Sequence, residues 1–206
     1  MEGALRGRAG DARLIETALW DGRGFPRLPL HLARLAAGAG ALGFACDLVA
    51  VERVLRAGVE ADPLRVRLTL GPAGDAEVTV ADLPAAKAEW RLGLASERLL
   101  SSDPWLRVKS TRRAAYDAAR AALPLGLDEV LFLNERGEVC DGTITTVFFD
   151  RGQGMRTPPL ASGLLPGVLR AELAVPEEVL SAEELPRVRL WVGNALRGLI
   201  PAVWGN

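Results

Sequence analysis

The sequence predicts an α/β protein built as two α+β lobes, and three observations lead there. Hydrophobic residues fill 49% and charged residues 25% of 206 positions, the balance of an ordinary globular chain. Segments with the alternating apolar pattern of strands are interleaved with Ala- and Leu-rich segments of helical period. One polar stretch, 81–89, separates a smaller from a larger part.

Each element has its own signal. Residues 1–10 read as an irregular start. Arg13 to Trp20 reads as a strand, followed by the turn Asp21-Gly22-Arg23-Gly24. Leu30, Leu32, Leu35 and Leu42, with alanines between them, mark a helix over 30–43, and Pro29 supplies the break before it. Asp47 is placed to cap a second helix that runs to Ala57 and stops at Gly58. Arg65 to Leu70 and Glu77 to Val80 form a hairpin around Gly71-Pro72-Ala73-Gly74. These elements make a small N-terminal lobe, 1–84.

The larger lobe, 88–206, opens with a strand from Trp90 to Ser96. Ser110 or Thr111 starts an Ala-rich helix that runs through Leu123. Glu129 to Leu133 pairs across Asn134-Glu135-Arg136-Gly137 with Glu138-Val139-Cys140, and Ile144 to Phe149 is a further strand. Leu164 to Arg170 is a loop turning into a helix, and a strand from Val188 to Val192 ends in Gly193-Asn194-Ala195. No internal repeat or low-complexity segment occurs.

Composition excludes several function classes. The net charge is −1, without the basic excess of a phosphate-backbone binder, so no nucleic-acid partner is expected. No run approaches the ~18 apolar residues of a membrane span, and no leader-like segment is evident, so a cytoplasmic protein is expected. One His (His31) and two Cys (Cys46, Cys140) fall short of the roughly four ligands of a zinc site, so no metal is expected. A Ser-His-Asp triad would depend on His31, which lies in an apolar helical pattern with no Gly-x-Ser-x-Gly elbow nearby.

Lysine is the informative rarity. Of 25 basic residues only Lys87 and Lys109 are lysine, and the other 23 are arginine. Arginine keeps its proton in proteins, so it serves neither as an amine nucleophile nor as a neutral base. Lys87 lies in the polar linker. Lys109 follows Trp105-Leu106-Arg107-Val108 at a strand-to-helix junction, where an amine could be held toward an aldehyde. Two further signals follow it. Asp141, next to Gly142 and between β-rich segments, is a carboxylate that burial would oblige to find a partner. Gly167, at the start of a helix, lets backbone approach a ligand closely, with the amides of Val168 and Leu169 pointing outward. Taken singly these are a surface charge, a turn residue and an ordinary Gly-Pro loop. Their order carries the weight.

That order, with the surrounding text, resembles the class IV aminotransferase superfamily, which groups branched-chain and D-amino-acid transaminases with aminodeoxychorismate lyase. The similar stretches are LIETALWDG, HLARL, LGF, KSTRRAAYDAA, DEVLFLNERGEVCDGTITTVFF, TPPLASGLLPGVLR and VGNALRGLIPA. The resemblance implies a fold-type IV enzyme, a homodimer, with pyridoxal 5'-phosphate between a smaller N-terminal and a larger C-terminal lobe. It implies Lys109 as the Schiff-base lysine, Arg34 as a phosphate-binding arginine and Asp141 as the partner of the pyridine nitrogen. It further implies Gly167, Val168 and Leu169 as a phosphate cradle, and Asn194 as a polar residue near the phosphate. Arg107 and Arg197, by their positions near Lys109 and Asn194, are candidates for substrate carboxylates. His31, one turn before Arg34, reads as structural.

The chain departs from the family pattern in places. Asp141 stands where Glu is usual, one methylene shorter and about 1.3–1.5 Å less in reach. Thr145-Thr146 replaces a Ser-Asn pair, the first strand pair of the family is missing, and the segment after Arg170 is short. The short first lobe and the closing motifs most resemble the aminodeoxychorismate lyase-like domain. Conversion of 4-amino-4-deoxychorismate to 4-aminobenzoate and pyruvate, a step toward folate, is therefore expected. A class IV transaminase and a degenerate, cofactor-free member are the alternatives.

Overall fold

The computed structural model describes residues 5–7, 9–60 and 62–205; residues 1–4 and 8 of the expected irregular start lie outside them. Contacts divide the chain into two compact units, one of Met1–Ala85 with Val108–Arg112, the other of Ala86–Arg107 with Arg113–Asn206.

In the first unit, β1 (Leu14–Trp20), β2 (Leu64–Leu70) and β3 (Ala76–Asp82) form an antiparallel sheet in that order. The register sets Leu14 opposite Leu70, Glu16 opposite Leu68 and Ala18 opposite Val66. Period-two alternation therefore sends Leu14, Ala18, Val66, Leu68 and Leu70 into the core. Helix α1 (Leu28–Leu42) contributes Leu35, Ala39 and Leu42, and α2 (Leu48–Ala57) contributes Val51 and Leu55. Pro29 sits within the first turn of α1, where its missing N–H costs nothing, so the helix begins two residues before the expected 30. Asp47 caps α2 as expected, its Oδ1 accepting from Val49 N at 2.9 Å and Ala50 N at 3.1 Å.

Residues 108–112, expected within the larger lobe, lie along the free side of β1. Ile15 N donates to Lys109 O at 2.8 Å and Thr111 N to Arg13 O at 2.9 Å, with a bridge between Leu14 and Ser110. This pairing occupies the backbone where a helix was expected to start. Helix α3 (Ala114–Ala121) begins only after it.

In the second unit, β4 (Trp90–Leu99), β5 (Glu129–Asn134), β6 (Val139–Gly142), β7 (Thr146–Asp150), β8 (Arg189–Asn194) and β9 (Gly198–Trp204) close into a barrel in chain order. Strand β4 runs parallel to both β5 and β9, and the remaining pairs are antiparallel. Closure leaves no strand edge open. One apolar cluster draws on all six strands, among them Leu92, Leu131, Val139, Phe149, Val192 and Ile200, joined by Leu180 and Leu185. A second gathers Leu99, Leu106, Phe132, Cys140 and Leu164 beneath Ala115, Tyr116 and Ala119 of α3. Strand β5 is thus buried along its whole length, which is why it reads as an unbroken apolar run. Strand β9 escaped the sequence reading because Pro201 interrupts its apolar pattern. Helix α4 (Val168–Leu173) follows the loop at 164–167, as expected. No helix among the described residues is long and apolar enough to cross a membrane.

Candidate active site

Within the second unit, strand pairing assembles most of the residues singled out by sequence. Asp141 in β6 pairs with Thr146 in β7, and Thr146 pairs in turn with Gly193 in β8. Asp141 is 5% exposed, and its Oδ2 accepts from Leu165 N at 2.7 Å. The same loop then leads through Gly167 into α4. A Cβ at position 167 would stand 2.6 Å from Thr146 Oγ1, so only glycine lets the start of α4 approach that hydroxyl. The amides of Val168 and Leu169 fall in the first turn of α4, where no intrahelical acceptor exists. A threonine hydroxyl and helix-end amides, unobstructed by a side chain at 167, form a donor set suited to an anion.

Asn194 lies at the end of β8, but its side chain faces the protein. Its Nδ2 donates to Ile144 O at 3.1 Å, and its Oδ1 accepts from the backbone of Leu196 and Arg197. The Arg197 guanidinium lies over the Trp90 ring, 5.2 Å from the centroid. Arg107 ends a 3-10 turn, Pro104–Arg107, and donates through a terminal nitrogen to Leu160 O.

The first unit holds Lys109 and Arg34. Lys109 is half-buried, its carbonyl fixed by Ile15 N of β1. Arg34 grips Glu16 through Nε to Oε1 at 2.8 Å and through a terminal nitrogen to Oε2 at 2.6 Å. His31 Nδ1 meets the same Oε2 at 2.6 Å. Burial would raise the Glu16 carboxyl, but the charge and hydrogen bonds of Arg34, with those of His31, outweigh it and hold the group below its ordinary value. Lys87 is exposed and binds Asp128, Nζ lying 2.6 Å from Oδ2.

Two residues have no role in the reading of the sequence. Glu16 has a legible signal, because it occupies an inward position of β1 between Leu14 and Ala18, and a carboxylate there requires partners. Glu129, the first residue of β5, stands at the edge of the apolar run and looks like an ordinary strand end. Thr146 is marked in the sequence only as a departure from the family's Ser-Asn pair, and the close approach of Gly167 gives its hydroxyl a place in the site.

Comparison with known proteins agrees with this architecture. The family described as "Amino-transferase class IV" matches residues 13–203. The chain belongs to the class IV aminotransferases. It is 35% identical over 170 residues to a Schizosaccharomyces pombe protein named "Putative aminodeoxychorismate lyase", covering 79% of this chain and 73% of that one. A crystal structure described as a "Putative amino-acid aminotransferase" from Mesorhizobium loti superposes with a TM-score of 0.90 at 45% identity, over 95% of this chain and all of that one. The 4-amino-4-deoxychorismate lyase of Pseudomonas aeruginosa shares the fold, with a TM-score of 0.79 at 24% identity over 96% of this chain and 84% of that one. The fold is that of the fold-type IV enzymes, as the resemblance in sequence implied.

Proposed function

We propose that this chain is a pyridoxal-phosphate-dependent lyase that converts 4-amino-4-deoxychorismate to 4-aminobenzoate and pyruvate. The observation that carries this reading is the Schizosaccharomyces pombe relative named for that lyase, at 35% identity over most of both chains. The donor set around Gly167 suits the cofactor's phosphate, and the buried carboxylate of Asp141 suits a protonated ring nitrogen. When bound, pyridoxal phosphate supplies an aldehyde for amines and a ring that takes up an electron pair.

The chain's own residues divide the remaining work. Lys109 would hold the cofactor through Nζ, and its freed amine would take the proton from the carbon bearing the substrate nitrogen. The same Nζ would then return a proton to the departing pyruvate fragment. Thr146 and the amides of Val168 and Leu169 would hold the phosphate, with Arg34 adding a fixed positive charge. Arg107 and Arg197 would meet substrate carboxylates, and Asn194 would keep the β6–β7 turn in place through Ile144 O.

The Mesorhizobium loti structure favours a second reading, amino-acid transamination, through its higher identity. The two reactions share the first proton removal and differ in where the proton returns. The test is to purify the protein with cofactor, record its visible spectrum, and repeat with Lys109→Ala. A lysine-bound band in the wild type, lost in the variant, together with pyruvate released from aminodeoxychorismate, is expected. Bound cofactor with no pyruvate, converted to its amine form by an amino acid, replaces the lyase with the transaminase. A colourless protein that takes up no added cofactor overturns both.

A further inference from the structure

The turn joining β6 to β7 is folded around a carboxylate that none of these steps uses. Glu129 is fully buried, at 0% exposure. Its Oε1 accepts from Thr143 N at 3.0 Å, Thr143 Oγ1 at 2.5 Å and Val130 N at 3.1 Å. Its Oε2 accepts from Ile144 N at 3.2 Å and Thr145 Oγ1 at 2.9 Å. Arg120 stands 3.6 Å from Oε1. The carbonyls of the turn are held as well, Thr143 O by Arg113 at 2.8 Å and Ile144 O by Asn194. Gly142 N closes the turn on Thr145 O at 2.8 Å. A Cβ on Gly142 would collide with Thr145 Oγ1 and stand 2.8 Å from Glu129 Cγ and Cδ, so a side chain at 142 would press on both the glutamate and one of its donors.

A carboxylate accepts only, and here every partner is a donor. Inside the protein an unmade bond of this kind is costly, so the turn has one favoured geometry. The two ends of that turn are Asp141 and Thr146.

We infer that Glu129 is a positioning residue of the cofactor site, fixing the 142–145 turn and thereby the place of the Asp141 carboxylate. The inference rests on the proposal that Asp141 meets the cofactor ring. A residue that only supported the fold would lower the melting temperature and leave cofactor affinity of the folded protein unchanged. A positioning residue alters the affinity of protein that is still folded, and its effect passes through Asp141.

The experiment titrates cofactor-free protein with pyridoxal phosphate by absorbance and tryptophan quenching, beside thermal melts of the same samples. Glu129→Gln keeps the shape but turns an NH2 toward donors. The expected dissociation constant rises about tenfold, the scale of one hydrogen bond to a charged group. Thr145→Val removes one donor at similar volume, guards against a Gln variant that fails to fold, and should raise the constant about threefold. Added to Asp141→Asn, either change should matter by less than about twofold. Unchanged affinity in the folded variants, or full effects on top of Asp141→Asn, overturns this inference alone. Wild-type protein that takes up no pyridoxal phosphate overturns the proposed function and this inference together.

Discussion

At Glu16 a carboxylate occupies the core face of β1, and the chain answers with His31 and Arg34 one helical turn apart on α1. Removing one partner from such a buried cluster strands the other charge, at a cost of about 3–5 kcal/mol. Glu16→Gln should therefore lower stability by that order at neutral pH. Because the folded carboxyl lies below its ordinary 4.5, its contribution is present above that value and is lost as pH falls through the folded one. Denaturant melts of wild type and variant should differ most near neutrality and converge in acid; a gap that stays constant down to pH 3 contradicts the account. Lys109 stood out in the sequence as one of two lysines among 25 basic residues, and Asp141 by its place in the ordered motifs. Glu129 did not, because a strand-end carboxylate acquires meaning only from neighbours brought in by β pairing, and Thr146 was marked only as a substitution in a family motif. The same pairing sets Asn194 Nδ2 against Ile144 O.

Among the elements, β5 shows how period-two alternation was obscured by burial on both faces. Leu131 and Leu133 join the cluster shared by all six barrel strands, while Phe132 points the other way and meets Tyr116 of α3 at 4.8 Å between ring centroids. Leu131→Ala would empty a position with 0% exposure and should destabilise the protein by about 2–5 kcal/mol. Urea titration would register this as a lower midpoint with an unchanged slope; a change below 1 kcal/mol would mean that the barrel interior repacks freely. Strand β2, with clean alternation, strand β1, bounded by the turn after Trp20, and the helix with a side-chain cap, α2, were placed within a residue or two from sequence. Barrel closure was not legible, since it depends on β4 pairing in parallel with both β5 and β9, far along the chain. The start of α3 was misplaced because 109–111 is claimed by β1, a contact no local pattern announces.

For the molecule as a whole, the family was readable because its motifs are ordered along nearly the entire chain, whereas the reaction is set by proton destinations that motifs do not record. The path of the chain adds a consequence of its own. Leaving the first unit after Ala85, it returns at Val108–Arg112 to lie beside β1, and then departs again. Lys87 is 54% exposed in the connecting stretch, whereas the Lys109 carbonyl is tied to Ile15. A lysine-specific protease should thus nick the native protein once, after Lys87. The two fragments should still co-elute on a sizing column, because the later one carries a strand that the earlier one needs; fragments that part without denaturant would show that this strand is dispensable. Covalent continuity between the units is, on this view, redundant with their weaving, and gene fusions or split reporters placed at that joint should reassemble without a tether.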